Sequence, residues 1–599
     1  MQSSATDNGD SIRETPKAAG VYRLLSPLAP AVLLLLAACL QPATPGPSGP
    51  GNSQVASPPA GTPKLILFLV IDQGSYPQIE RFRPLLTGGL ARLLEEGISF
   101  TAMHHDHAIT STAPGHATLA TGVPPSGHGV VANGWFDRES GEWIEAVEHG
   151  DGEASPGNLE ASSLGDWLQE AYPEAKVFTA SGKDRGAIFT GGRGADAAFW
   201  FDRETGRWIT SPYYLETTPT WLDDFHRRRS LHRWFGTSWT PLPETEAMVG
   251  TLGVESVDFR PIEESFPHPL GRPTLVPGES FYRGVYGSPF ADAYLAEFAL
   301  AMLEGEELGA DGIPDLLGLS FSAMDAVGHG FGPDSPEFLD TLLRLDRTLG
   351  ELLEAIDQRV GLGHTLISLS SDHGVMPMPE LLRQRGDQEA GRIGVEESLC
   401  VHRAGAALEE KLGPGSWVRS GFYLDRRALD AAGIDRREVE KWLRRRLEAC
   451  PNVQRVWTAS ELQSFLADGS LEAPTEPGTE EHFRRLYAHS FDPERSADLL
   501  VQLRPKILAS SAIANHTGPY PYDTHVPWIL LLPEDLPALG DKSGKKIEGG
   551  EISEAVRTLD VAPTLAGLLG LTVPASVAGR DLRELLDGAQ PLDAARQGP

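Results

Sequence analysis

Cysteine is scarce in this chain, where only Cys39, Cys400 and Cys450 occur among 599 residues. After Cys39 only two remain, and their separation by fifty positions excludes a zinc site built from clustered thiolates. Their even number leaves two interpretations open. They form one disulfide in an oxidising compartment, or they are two isolated buried thiols.

Positive charge is also in short supply, with 51 Lys and Arg against 83 Asp and Glu and a formal net charge of −32. Nucleic acid and anionic lipid headgroups repel such a chain, so we expect no nucleic-acid partner. An anionic substrate would need locally concentrated positive charge, which bound metal ions supply. The remaining acidity is typical of a solvated surface.

A long unbroken apolar run is missing at the N-terminus. The stretch Leu24–Leu40 follows three basic residues but is short and contains two prolines. It is shorter than the usual transmembrane helix and is typical of the apolar region of a signal peptide. It ends in Leu-Ala-Ala-Cys39, which resembles the lipidation site of bacterial lipoproteins.

We therefore predict a lipoprotein-type signal peptide over residues 1–38 and a Pro/Gly/Ser-rich flexible tether over 39–63. Export to the periplasm or cell surface follows, with a lipid anchor on Cys39 as the membrane contact. The alternative is an ordinary secretory signal that leaves a soluble protein.

The body, residues 64–590, contains no internal repeat and alternates apolar runs with amphipathic patterns. Continuous apolar runs such as Lys64–Asp72, Pro314–Ser322 and His364–Ser370 are typical of strands buried on both faces. Alternation with helices predicts an α/β fold with a doubly wound, mostly parallel sheet flanked by helices. Residues 195–300 and 385–490 break the rhythm and are predicted to be two insertions over the active-site side.

Metal-ligand residues follow several of these runs. Carboxylates and imidazoles lie at or just after the ends of three strands, and one further histidine stands just before the last strand. In open α/β sheets the functional crevice lies beyond the carboxyl ends of the strands, where we expect the first three groups to converge. Three carboxylates and three imidazoles suffice for two divalent metals, and they suit zinc. Taken singly, each would be a cap or a satisfied polar group. The six are Asp72, Asp325, His329, Asp372, His373 and His525.

The segment Thr110–Asn133 predicts a reactive hydroxyl. Thr112 stands two residues before Pro114, a residue favoured in the first helical turn, and an Ala/Leu/Thr helix follows. A hydroxyl at a helix N-terminus suits a transferring phosphoryl group, and metal contact would lower its pKa. The alternative is that Thr112 is only an N-cap.

These residues carry a resemblance. Thr112-x-Pro-x-His116, followed by TG, SGHGV and Asn133, resembles the nucleophile segment of type I phosphodiesterases and nucleotide pyrophosphatases, in the alkaline phosphatase superfamily. Asp325-x3-His329, the DHG at 372–374 and a distal DTHVP motif match as well. Lys183-Asp-Arg185-Gly-Ala resembles the phosphate-irrepressible monoesterase branch. The sulfatase CxPxR signature and the serine-centred motif of the dimeric enzymes are absent.

The resemblance implies an alkaline phosphatase-like fold and two zinc ions. It implies that Asp325, His329 and His525 bind one zinc, and that Asp72, Asp372, His373 and Thr112 bind the other. It also makes Thr112 the nucleophile and assigns Asn133, Lys183 and Arg185 to the phosphate oxygens. Histidines near the motifs without an assigned role are predicted to be structural: His104, His105, His107, His116, His128 and His516.

The implied activity is that of an alkaline phosphatase, which hydrolyses small-molecule phosphate monoesters through a covalent phosphothreonine and releases inorganic phosphate; we expect a monomer. Lys183 and Arg185 favour monoesters because a monoester carries the extra negative charge that they would pair. The main alternative is a phosphodiesterase or nucleotide pyrophosphatase of the same superfamily. A phosphonate hydrolase, a phosphoglycerate mutase and a lipoprotein that binds phosphorylated ligands without turnover rank behind it.

Overall fold

The first apolar run of the body is the strand Leu65–Ile71 (β1), and all seven of its residues are buried. This strand is the centre of the computed structural model, which describes residues 58–591 except 151, 229–230, 250–265, 273–275, 468–474, 535 and 537–548. The predicted signal peptide, the predicted lipidation site at Cys39 and most of the predicted tether lie outside the described residues.

Among the described residues, nine strands form the central sheet. Besides β1 they are Ile98–Phe100 (β2), Val177–Ser181 (β3), Ala197–Asp202 (β4), Arg207–Ile209 (β5), Asp315–Phe321 (β6), Thr365–Ser370 (β7), Trp528–Leu531 (β8) and Gly550–Ile552 (β9). Their order in the sheet is β5-β4-β3-β6-β1-β7-β8-β2-β9. Of these nine, β5 and β8 run antiparallel to their neighbours, so the prediction of a mostly parallel sheet is confirmed.

Helices cover both faces of the sheet, and successive side chains of β1 point alternately to the two helical layers. Leu65, Leu67 and Leu69 pack in a core that includes the helices Phe290–Gly305 and Pro336–Arg359. Ile66, Phe68 and Val70 pack in a second core with the helices Leu164–Ala171 and Val561–Leu569. A strand with two buried faces needs no polar alternation, which explains the unbroken apolar run. The doubly wound arrangement is therefore confirmed.

The remaining elements surround this layer structure. The other helices are Tyr76–Phe82, Gly89–Glu96, Thr112–Thr121, Pro125–His128, Asp184–Gly191, Thr220–Arg228, Pro243–Met248, Glu279–Tyr286, Ala323–Phe331, Pro379–Gln384, Val395–Leu412, Arg426–Ala431, Arg436–Leu447, Ala459–Ala467, Glu480–His489, Pro521–Thr524 and Arg583–Leu586. The strands outside the central sheet are Met103–His104, Gly134–Phe136, Trp143–Glu145, Glu148–His149, Glu153–Ala154, Ser238–Trp239, His268–Pro269, Gly391–Arg392, Val453–Thr458, Leu499–Leu503, Ile507–Leu508 and Val556–Arg557. No helix among the described residues is long and apolar enough to span a membrane.

The segment 385–490 contributes to a hydrophobic cluster away from the central sheet. Its helices Val395–Leu412 and Arg436–Leu447 pack with an antiparallel pair of strands, Val453–Thr458 and Leu499–Leu503. A disulfide joins Cys400 to Cys450 within this cluster, which settles the choice left open by the sequence. In the segment 195–300, β4 and β5 extend the central sheet and Phe290–Gly305 packs on it. The insertion boundaries themselves stay a prediction.

Candidate active site

Three central strands bring the predicted acidic residues together. β1 lies between β6 and β7, parallel to both, so their carboxyl ends meet at one edge of the sheet. Asp72 directly follows β1, Asp372 and His373 follow β7, and the helix Ala323–Phe331 after β6 carries Asp325 and His329. Strand order alone therefore positions five of the six predicted metal ligands.

Asp72, Asp372 and His373 form the first group. Their candidate ligand atoms all lie within 4.8 Å of one another, and the three side chains are fully buried. His373 Nδ1 donates to the carbonyl oxygen of Gly374 over 3.0 Å, which directs Nε2 towards the carboxylates. Its Nε2 is 3.4 Å from Asp372 Oδ2 and 3.6 Å from Asp72 Oδ1.

The second group surrounds Asp325. Its candidate ligand atom and those of His373 and His516 lie within 4.8 Å of one another, and His329 also contacts Asp325. Asp325 Oδ1 lies 3.1 Å from His329 Nε2 and 3.6 Å from His516 Nε2. Each ring is fixed through Nδ1, which donates to Ala514 O in His329 and to Thr110 O in His516. The His516 ring also stacks on His373 with centroids 3.6 Å apart, so the two groups are contiguous.

His525 is not brought into the cluster, contrary to the sequence expectation. Its ring stacks on Tyr76 and His104, and its Nε2 donates to the carbonyl oxygen of Thr101 over 2.9 Å. The expected place is taken by His516, which the sequence left among the structural histidines. Both precede the antiparallel strand β8 and so lie near the same sheet edge, and only the path of the loop decides which ring reaches Asp325.

The charges and burial of the cluster favour a bound cation. Burial, together with the charges of Asp325 and Asp372, raises the pKa of Asp72 well above its usual value. Burial opposes ionisation of Asp325 as well, yet the charges of Lys183 and His329 hold its pKa well below the ordinary value. Among the described residues, the buried Asp372 Oδ2 and His373 Nε2 have no hydrogen-bond partner. Buried carboxylates and imidazoles with free donor atoms fit divalent metals with N/O ligation.

Thr112 begins the helix Thr112–Thr121, as predicted. The extended N-cap residue is Ser111, so the alternative that Thr112 is only an N-cap is wrong. Asn133 Oδ1 accepts a hydrogen bond from the Ala113 amide over 2.8 Å, which fixes the Asn133 carboxamide beside Thr112. A Cβ on Gly115 would lie 2.1 Å from the Asp372 carbonyl oxygen, so glycine lets the helix start pack directly against the first group.

Lys183 and Arg185 add positive charge to the cluster. Lys183 precedes the helix Asp184–Gly191, and its Nζ lies 2.6 Å from both Asp72 Oδ2 and Asp325 Oδ2. The same Nζ donates to Thr112 Oγ1 over 3.2 Å. Arg185 stands in the first turn of that helix, and its nearest carboxylate is Asp184, with Nη1 3.6 Å from Oδ1. Burial opposes the charge of both cations, but nearby carboxylates raise the pKa of each.

Gln73 is a site residue that no motif indicated. It has φ of 68° and is fully buried between the two groups. Its Nε2 donates to Asp325 Oδ1 over 2.9 Å, and its backbone amide donates to Asp372 Oδ1 over 3.1 Å. A Cβ on Gly328 would lie 1.7 Å from Gln73 Oε1, so that glycine admits the side chain. Its only signal in the sequence is its position directly after Asp72.

Known proteins show the same architecture along nearly the whole chain. Alkaline phosphatase PafA of Elizabethkingia meningoseptica is 27% identical over 558 residues, which cover 88% of this chain and 94% of that protein. Alkaline phosphatase PhoK of a Sphingomonas species is 30% identical, with coverage of 86% and 90%. A crystal structure of wild-type alkaline phosphatase PafA superposes with a TM-score of 0.74 at 26% identity and covers 87% of this chain and 99% of that chain.

The fold and the cluster together define an enzyme, a phosphate-ester hydrolase with the alkaline phosphatase-like α/β fold. The model of the type I phosphodiesterase / nucleotide pyrophosphatase family matches residues 66–413, and the chain belongs to this family.

Proposed function

We propose that this enzyme hydrolyses phosphate monoesters and releases inorganic phosphate through a covalent phosphothreonine on Thr112. The observation that carries the proposal is the contact of Thr112 Oγ1 with Lys183 Nζ at a helix N-terminus, directly beside the buried carboxylates. A positive neighbour stabilises the alkoxide form of a hydroxyl, which is the nucleophilic form. Relatives named alkaline phosphatases over most of their length add support.

We further propose that the cluster holds two zinc ions, one with Asp72, Asp372 and His373 and one with Asp325, His329 and His516. Two bound divalent ions would supply the positive charge that a phosphoryl transfer requires at the attacking and leaving oxygens. His516 replaces His525 in this assignment because, of these two histidines, His516 is the one whose Nε2 faces Asp325.

The other residues orient the phosphate. The Thr112 hydroxyl loses its proton and its oxygen forms the new bond to phosphorus as the ester bond breaks, and the leaving oxygen takes up a proton and departs as the alcohol. Water then forms the next bond to phosphorus, the bond to Thr112 breaks, and phosphate leaves while Thr112 regains its proton. Asn133 is held at the helix start and has amide hydrogens to donate. Lys183 and Arg185 pair with oxygens that are charged in a monoester, and Arg185 can do so with two parallel hydrogen bonds.

A phosphodiesterase or nucleotide pyrophosphatase activity is the second candidate, favoured by the family description that matches residues 66–413. The deciding experiment compares kcat/KM for 4-nitrophenyl phosphate and methyl 4-nitrophenyl phosphate on one zinc-loaded preparation. A clear preference for the monoester supports the proposal, whereas a preference for the diester contradicts it. Metal analysis of the same preparation should give about two zinc ions per chain, because the site has two sets of ligands.

The location of the enzyme belongs to the same proposal. The lipidation-site pattern at Cys39 supports an exported, lipid-anchored protein that acts as a monomer on small phosphate monoesters outside the cytoplasm. The net charge of −32 supports the absence of a nucleic-acid partner.

A further inference from the structure

A cavity of about 890 Å³ opens beside the metal-ligand cluster. It lies between the helix Val395–Leu412, the strand Leu499–Leu503 and the loop that carries His516. The volume falls in the range of pockets that enclose small organic ligands. His516 belongs both to the wall of this cavity and to the second ligand group, so the cavity adjoins the cluster at this residue.

The wall of this cavity is mostly apolar and aromatic. Val401 and Trp417 line one side, and Leu500, Val501 and Tyr522 line the other, each of them only partly buried. Charged side chains such as Glu409 and Arg419 are exposed members of the lining. Partly exposed apolar surface inside a concave site binds apolar groups, because their transfer from water is favourable.

The helix that lines the cavity is anchored in a hydrophobic cluster. Val395–Leu412 packs through Ala404 and Leu408 on the cluster that contains the Cys400–Cys450 disulfide. A Cβ added to Gly405, which faces the cavity, would meet no atom within 4 Å. Glycine costs stability in the middle of a helix, so a residue that leaves this space free fits a binding role better than a packing role.

Polar side chains also line the cavity, among them His402, Arg504, Asn515 and Thr517. Asp523 is another; it is buried, its Oδ2 accepts a hydrogen bond from the Gly518 amide over 2.8 Å, and its Oδ1 has no partner among the described residues.

We propose that this cavity binds the organic part of the phosphate ester, and that the preferred substrates are monoesters of aryl or other large apolar alcohols. The inference rests on the proposed function, since it places the phosphate at Thr112 and the cluster. The apolar side chains of the wall, which include Val401, Trp417 and Leu500, favour an apolar alcohol because its transfer from water is favourable. The alcohol released by hydrolysis would also bind here as a product.

The test uses the full-length, zinc-loaded enzyme with 2-naphthyl phosphate and methyl phosphate. Gly405→Leu fills the cavity, and Gly405→Ala is the matched control because both changes favour the helix but only leucine adds bulk. We expect Gly405→Leu to lower kcat/KM for the naphthyl ester about 10- to 100-fold, the range that apolar pockets provide, and to change methyl phosphate hydrolysis less than about twofold. Val501→Trp, from the opposite wall and in a strand that accepts aromatic residues, should act in the same direction.

A second measurement does not depend on turnover. Calorimetric titration with 2-naphthol should show binding to the wild type and to Gly405→Ala, and binding to Gly405→Leu weakened at least about tenfold. Equal losses for both esters, or naphthol binding that Gly405→Leu leaves unchanged, would overturn the inference. The enzyme could prefer diesters while Gly405→Leu still weakens naphthol binding. That result would contradict the proposed monoesterase activity and would still support the cavity as the site of the alcohol.

Discussion

The side-chain amide of Gln73 donates to Asp325 Oδ1 over 2.9 Å, across the boundary between the two ligand groups. Asp325 follows β6, whereas Gln73 follows β1, and the Gln73 backbone amide holds Asp372, which follows β7. One residue therefore fixes carboxylates from the two neighbouring strands. Loss of a group that orients a metal ligand typically lowers metal affinity or activity by about 10- to 100-fold.

Gln73→Ala should weaken zinc binding or activity about 10- to 100-fold, the range seen when a ligand loses its orienting partner. The positive φ at this position strains alanine and glutamine alike, since both carry a Cβ, so backbone strain does not account for the loss. Zinc titration of the apo protein measures the effect, with Gln384→Ala on an exposed helix as the matched control. Unchanged affinity and unchanged kcat would show that the hydrogen bond does not position Asp325.

Thr112→Ala should abolish the covalent intermediate and lower kcat/KM by on the order of 10⁴ or more, as for other lost nucleophiles. Zinc content should be retained, because three other residues remain in each ligand group. Thr112→Ser keeps a hydroxyl and should keep measurable turnover. Acid quenching with labelled substrate traps the phosphoprotein, and label found on the neighbouring Ser111 would contradict the assignment.

His516 and His525 make a direct contrast in metal binding. His516→Ala should leave one tightly bound zinc per chain, because its Nε2 faces Asp325. His525→Ala should keep both ions, because that ring donates to Thr101 O and stacks outside the cluster. Metal analysis after dialysis against a weak chelator distinguishes them. Loss of zinc in His525→Ala, with full content in His516→Ala, would restore the expectation drawn from the DTHVP motif.

The strand-end residues were predictable because strand order obeys general rules. β1, β6 and β7 appear in the sequence as unbroken apolar runs, and parallel strands place the residues after their carboxyl ends at one edge of the sheet. Asp72, Asp325 and Asp372 therefore converge whatever the loops do. The helix at Thr112 was predictable for a similar local reason, since Pro114 favours the first helical turn.

The choice of His516 over His525 could not be predicted in this way. His525 stands immediately before a strand and looks like the other strand-adjacent ligands, whereas His516 lies in a loop. A loop path depends on tertiary contacts such as the hydrogen bond from His516 Nδ1 to Thr110 O, which joins residues 406 positions apart. Gln73 was missed because a positive φ at a buried glutamine leaves no pattern in the sequence.

Cys39 is expected to carry the lipid anchor. Cys39→Ser should accumulate as unprocessed precursor, because the lipid is attached to the cysteine that becomes the first mature residue. Fractionation of cells, with detergent release of the mature protein, measures the effect. A wild-type protein that is freely soluble and begins at another residue would show that the pattern around Cys39 does not direct lipidation.

The final prediction concerns the pair Lys183 and Arg185 and the choice between monoesters and diesters. If both pair with oxygens that are charged only in monoesters, the double variant Lys183→Ala/Arg185→Ala should lose far more activity on monoesters than on diesters. Each charge-assisted hydrogen bond contributes about 1.5–3 kcal/mol, so the pair accounts for about 3–6 kcal/mol, or on the order of 10² to 10⁴ in kcat/KM.

The two residues are not equivalent as probes. Lys183 also contacts Asp72 and Asp325, so its removal is expected to affect the cluster, and zinc content has to be measured alongside activity. Arg185 has its nearest carboxylate in Asp184, outside the cluster, which makes Arg185→Ala the cleaner test. That variant should keep its zinc, keep most of its activity on methyl 4-nitrophenyl phosphate, and lose about 10- to 100-fold on 4-nitrophenyl phosphate, as expected for one charged contact. Equal losses on both esters would show that Arg185 does not pair with the extra negative charge of a monoester. The preference for monoesters would then have to come from other residues of the site.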